Sequence, residues 1–128
     1  MKSIYYKKTD MTPEVIFNIS NDELIISGKS FSNNTSDFYN PLLASIKKYL
    51  IKTKILNVDI NLIYLNSTSL KIYYDIFDIF NNAMKKNNSQ FIISWYYNKD
   101  NDMIIETGED FINDFPLLNI KLIENMED

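Results

Sequence analysis

The sequence predicts an α/β domain with a mixed central sheet, and three observations carry that expectation. Two short apolar stretches separated by Ser20-Asn21-Asp22 form a hairpin pattern at the start. Beyond it, helical and extended patterns alternate three times, the signature of helices packed on a sheet. The chain has 128 residues at 45% hydrophobic content, enough for one core, and we expect a single domain over residues 1–128.

Each element has its own reason. Tyr5-Tyr6-Lys7 is a short strand candidate. Pro13 precedes a second, Glu14 to Ile19, and Glu23 to Ser27 returns from the turn and closes at Gly28. The opening hairpin makes the sheet mixed rather than wholly parallel. After a polar loop, Phe38, Tyr39, Leu42, Leu43, Ile46, Tyr49 and Leu50 recur at helical spacing. Asp37 or Ser36 is the expected cap, with Pro41 tolerable only near the first turn. Ile55 to Leu65 reads as a long strand with Val58, Ile60, Leu62 and Tyr64 on one face. A helix from about Ser67 to Lys86 carries the stripe Ile72, Ile76, Ile79, Phe80 and Ala83, and ends in Lys85-Lys86, which suits its dipole. Phe91 to Tyr97 is the next strand. A weaker amphipathic helix covers Met103 to Asp114 despite Gly108, and Leu118 to Ile123 forms a last strand after Pro116.

Composition removes whole classes of chemistry. The chain has no Cys and no His, and every one of its thirteen basic residues is Lys. Disulfides, thiolate nucleophiles, the commonest general base and the bidentate guanidinium fork are therefore absent. Abundant Lys, Asn and Ile point to an AT-rich, bacterial genome. No apolar run approaches the roughly 20 residues that span a bilayer, and the N-terminus lacks a signal-peptide apolar region. A cytoplasmic protein without membrane insertion is expected.

The net charge of −4 is uneven. Residues 1–99 carry twelve Lys against eight acids, and residues 100–128 one Lys against nine. That split argues against nucleic-acid binding. It fits a solvated acidic face or a protein-docking surface.

Candidate sites are few. Gly28-Lys29-Ser30 has the end of a phosphate-binding loop but not its upstream glycine. Asp100, Asp102, Glu106, Glu109 and Asp110 lack calcium-loop spacing, so a solvated acidic turn and helix is the expectation, with no metal and no cofactor. Trp95 and Tyr97, at a strand end, are either core residues or aromatic anchors for a partner. Asn66-Ser67-Thr68-Ser69 remains, where an apolar strand runs into a helix. Asn, Ser and Thr are preferred helix caps, and Asn66 and Ser69 are expected to shape that helix start. A phosphoryl group there would gain from the unpaired N–H groups and add about −1.5 to −2 charges to the surface around it.

The chain resembles the SiaC family of bacterial regulatory phosphoproteins, small single domains with a fold like the anti-sigma-factor antagonists (STAS-like). The resemblance rests on the order and spacing of several blocks: Thr12-Pro13-Glu14-Val15-Ile16-Phe17, Ile26-Ser27-Gly28-Lys29-Ser30, Phe38-Tyr39-Asn40-Pro41, Tyr64 to Lys71, Trp95-Tyr96-Tyr97 and Glu106 to Phe111. It implies a non-enzymatic switch protein with a phosphate acceptor after the Asn. That position is usually Thr in the family; here it is Ser67, with Thr68 as the alternative acceptor. It further implies a cognate serine/threonine kinase, an opposing metal-dependent phosphatase, and docking to a diguanylate cyclase that raises cyclic-di-GMP and favours biofilm. Tyr64, Lys71, Trp95 and Tyr97 are the expected docking residues. The rival readings are a constitutive adaptor of the same fold and a small metal-dependent enzyme using the acidic C-terminal region.

Overall fold

The computed structural model describes residues 2–126. It contains strands β1 (Ile4–Tyr6), β2 (Glu14–Asn18), β3 (Glu23–Ser30), β4 (Ile55–Leu65), β5 (Gln90–Tyr97) and β6 (Lys121–Glu124), and helices α1 (Thr35–Lys52), α2 (Ser67–Asn87) and α3 (Asp102–Asp114). All six strands form one sheet in chain order. The first three pair antiparallel, and β3 to β6 run parallel. The sheet is therefore mixed, as its opening hairpin requires.

Chain order in the sheet decides where the helices go. Each parallel crossover steps in the same direction, and right-handed connections then put α1, α2 and α3 on one face. Burial follows. Leu24 and Ile26 of β3, Leu56, Val58, Ile60 and Leu62 of β4, and Val15 and Phe17 of β2 point into the helix layer and are buried. The opposite face carries Ile16, Ile25, Asn57, Asp59 and Ile92, half-buried or exposed. Asp59 sits among them with its carboxyl held above the usual range, first by partial burial and then by Glu23 nearby.

Aromatic side chains fill the space between helices and sheet. Trp95 lies at the centre, edge-on to Tyr73 and Phe111, and its indole N–H donates to the Ile104 carbonyl at 2.9 Å. Gly108 of α3 faces that indole. A Cβ there would stand 2.5 Å from Trp95 Cδ1 and 2.5 Å from Leu122, so only glycine lets α3 lie this close to the sheet. The glycine that weakened the helix pattern in sequence is what allows the helix to dock.

Several boundaries differ from the sequence expectation. Gly28 does not close β3: the strand continues to Ser30, with Gly28 at φ +122° and a shift in register between Gly28 and Lys29. Across that bulge Leu62 pairs with Gly28 and Tyr64 with Lys29, so Ile63 is the extra residue. The alternation expected for β4 breaks there. Tyr64 turns outward instead of joining Leu62, and Leu65 takes the inward place. Helix α1 begins before its expected cap, with Asn34 in the cap position and Asp37 inside the first turn. Pro41 therefore falls beyond the first turn, on the exposed side of the helix. The last strand is later and shorter than expected, because Pro116–Leu118 forms a 3-10 turn and Asn119 adopts a left-handed conformation.

Candidate functional site

The candidate site is the passage from β4 into α2, and it is built without a loop. Leu65 ends the strand, Asn66 is the cap, and Ser67 is already helical. The Asn66 N–H donates to the Ser30 carbonyl at 3.0 Å, which ties the cap to the end of β3. Its side-chain Oδ1 accepts the Ser69 N–H at 2.9 Å, so one orphan donor of the helix start is satisfied.

The three hydroxyls that follow have different surroundings. Ser69 is fully buried, and its Oγ accepts from Ser30 Oγ at 2.7 Å. Thr68 is exposed; its hydroxyl donates to Asn66 Oδ1 at 3.1 Å and lies 3.2 Å from the Thr35 hydroxyl of α1. Ser67 is exposed, and its hydroxyl has no hydrogen-bond partner among the described residues. Only Ser67 presents an unoccupied oxygen at the positive end of the helix.

Beneath the junction runs a chain of buried hydroxyls that the sequence reading missed. Because Ser30 donates to Ser69, Tyr39 must donate to Ser30, at 2.7 Å, and Tyr73 to Tyr39, at 2.9 Å. The chain links the first turn of α2 to β3, to α1 and back to α2. Burial raises the pKa of Tyr39 and pushes that of Tyr73 well above the ordinary tyrosine value, so the chain is neutral. The available signal was Tyr in place of Phe at two core-facing helix positions, and Ser30 on the buried face of a strand.

The surface beside Ser67 is apolar with a basic edge. Ile63 and Tyr64, turned out by the bulge, are about half exposed, and Tyr64 meets Phe31 edge-on with ring centres 5.7 Å apart. Asn101 Nδ2 donates to the Ile63 carbonyl at 2.8 Å and fixes the bulge from the β5–α3 turn. Lys8, Asp10, Lys29, Phe31 and Ile63 line one hollow of about 320 Å³, two lysines against one carboxylate. Lys71 stands one helical turn after Ser67, exposed and without a partner among the described residues. A second hollow, of about 220 Å³, lies between the first turns of α1 and α2 and includes Thr35, Asp37 and Thr68.

The remaining expected residues are elsewhere. Trp95 is fully buried with its N–H satisfied, so it is a core residue and not an exposed anchor. Tyr97 is half-buried at the end of β5. Asp100 and Asp102 line an open polar cleft with Asn98, Asn101 and Asn125, while Glu106, Glu109 and Asp110 are exposed on α3. Among the described residues no group of three or more acidic side chains converges as a metal site. No helix there is long and apolar enough to cross a membrane.

This is a small α/β domain whose chemistry-bearing groups stand at a helix start rather than in a cleft. The chain belongs to the SiaC family of regulatory phosphoproteins, whose model matches residues 6–125. It is 24% identical over 115 residues to an uncharacterized protein of Pseudomonas aeruginosa (strain UCBPP-PA14), an alignment covering 89% of this chain and 90% of that one. It is similar to the crystal structure of apo-SiaC from Pseudomonas aeruginosa, with TM-score 0.81 and 21% identity over 98% of this chain and 100% of that one. A chain in the crystal structure of the diguanylate cyclase SiaD with its activator SiaC, also from Pseudomonas aeruginosa, matches with TM-score 0.88 and 22% identity, covering 95% of this chain and 99% of that one. The expected family and the mixed α/β fold are both borne out.

Proposed function

We propose that this chain is a cytoplasmic, non-enzymatic phospho-switch, with Ser67 as the acceptor and a diguanylate cyclase as the docking partner. A serine/threonine kinase phosphorylates Ser67 and a metal-dependent phosphatase removes the phosphate. The unphosphorylated surface around Ile63, Tyr64 and Lys71 engages the cyclase and activates it.

The single observation that carries the reading is the contrast among the three junction hydroxyls. Ser67 is exposed and unbonded, Thr68 is tied to Asn66 and Thr35, and Ser69 is buried. A kinase can take the Ser67 hydroxyl without breaking any side-chain bond. The phosphate is then stabilised by the helix N-terminus and by Lys71 one turn on. It also places about two negative charges beside an apolar patch with a basic edge, where they repel an acidic partner and hold water on the patch. Support for the partner is the family's regulatory character and the SiaD–SiaC complex.

The test uses the purified chain, a serine/threonine kinase from the same cell, ATP and Mg²⁺, read by intact mass and fragment mapping. A single phosphate on Ser67, lost in Ser67→Ala and kept in Thr68→Ala, is the expected result. A phosphate on Thr68 in the unaltered chain would transfer the acceptor role to that residue, and no phosphate on either would end the switch reading. In a coupled assay, Ser67→Asp is expected to lose activation of the diguanylate cyclase.

A further inference from the structure

The pole of the molecule opposite Ser67 has chemistry of its own. Parallel strands β3 to β6 all run toward the Ser67 end, so the ends of α1 and α2 share the other pole with the starts of β4 and β5. The Gln90 N–H donates to the Lys54 carbonyl at 2.6 Å and ties the two crossovers together there. Six of the thirteen lysines gather at this pole: Lys47, Lys48, Lys52, Lys54, Lys85 and Lys86, all exposed. None has an ion-pair or hydrogen-bond partner among the described residues. Among them Ile51 is 73% exposed, and Ile55 and Ile92 at the sheet margin are 50% and 64% exposed.

Helix dipoles account for part of this. Lys52, Lys85 and Lys86 lie in last turns, where cations are favoured. They do not account for Lys47, Lys48 or Lys54, nor for an isoleucine left bare among ammonium groups. The acids facing the same region are Asp22 and Glu23 at the start of β3, Asp59 on β4 near Glu23, and Asp78 on α2. Asp22 is taken up by the Tyr49 hydroxyl. The lysines outnumber these acids six to four.

We propose that this pole is a peripheral docking face for an anionic lipid surface. A lipid headgroup layer supplies negative charge without demanding a shaped pocket, which suits unpaired lysines spread over two helix ends. Lysine stems lie along the interface while their ammonium groups reach phosphate, and Ile51 enters the headgroup region shallowly. A second copy offers complementary charge on its acidic α3. That contact would join two different surfaces, a heterologous pairing that gives rings or filaments rather than a simple two-fold dimer. An acidic protein segment seated in the hollow of about 210 Å³ that Leu50, Ile79 and Ala83 line with Lys47 and Lys86 would meet two of the six lysines and leave the other four outside its lining. Docking by this pole turns Ser67 away from the lipid, so the face is independent of the switch reading and compatible with it.

The full chain is sedimented with vesicles of equal parts phosphatidylglycerol and phosphatidylcholine, and with phosphatidylcholine vesicles alone. Binding only to the anionic vesicles is expected, weakening as salt rises. Neutralising Lys47 and Lys54 together to Gln should cut partitioning about fivefold per lysine, while the same change at Lys7 and Lys8, which follow β1 at the Ser67 end, leaves it intact. Ile51→Ser should weaken binding at every salt concentration. All variants are checked for an unchanged melting curve. No binding to anionic vesicles at low salt overturns the proposal, as does undiminished binding of the Lys47/Lys54 variant. Self-association without vesicles, lost in that same variant, overturns it in favour of a second copy.

Discussion

Helices α1 and α2 both follow a parallel strand and begin side by side, yet they begin in opposite ways. Asn66 alone separates β4 from α2, and its side chain closes the first turn. Four residues separate β3 from α1, and Asn34 in the cap position gives no side-chain bond. That start relies on the Phe38 N–H donating to the Asn34 carbonyl at 3.1 Å, and on Thr35 Oγ1 donating to the Ser32 carbonyl at 2.8 Å. One helix start is tightly satisfied with a single hydroxyl left over; the other is a polar loop that merely becomes helical. A modification site is better placed on the first, because a rigid frame presents the acceptor in one geometry. The hydroxyl chain through Ser30 and Tyr39 couples the two starts.

Breaking that chain in its middle should have the largest effect on the comparison. Ser30→Ala takes the acceptor from the Tyr39 hydroxyl proton and the donor from Ser69 Oγ in the core, and a loss of about 2–3 kcal/mol in urea unfolding is expected. Asn66→Ala should cost about 1–2 kcal/mol, with hydrogen exchange accelerated first at Ser69 and the rest of the α2 first turn. Tyr73→Phe removes only the terminal donor and should cost about 1 kcal/mol. It also bears on alkaline stability. A folded tyrosine with a raised pKa stabilises the fold below the unfolded value, and that contribution is lost as pH rises toward the folded value. Unfolding free energy should therefore fall above about pH 10, less steeply in Tyr73→Phe. Asn34→Ala should change stability by less than about 0.5 kcal/mol. A cost there equal to that of Asn66→Ala would erase the distinction between the two helix starts.

Much of this was legible in the sequence because its signals are local. Hairpin, alternation and apolar stripes each depend on residues within one or two turns of each other, so they placed every helix and all but the ends of the strands. The junction was legible for the same reason, since Asn66 caps a helix wherever it folds. What was illegible depends on neighbours distant in the chain. The bulge that turns Tyr64 outward needs Gly28, thirty-six positions earlier. The burial of Trp95 needs Gly108 to bring α3 close. The hydroxyl partner of Ser69 is Ser30 on β3, so spacing alone could not separate its hydroxyl from that of Ser67.

The simple order of the sheet carries a consequence for how the molecule is made. Every strand hydrogen-bonds to the strand synthesised just before it, so no strand waits for a partner beyond a single crossover. Growth from the N-terminus can lay the sheet down as translation proceeds, and such near-neighbour pairing favours rapid folding. By the time Tyr97 has emerged, β3, α1, β4, α2 and β5 already hold the Ser67 junction between them. The acidic stretch that follows is added to a junction whose strands and helices are already in place, and Asn101 then ties its bulge.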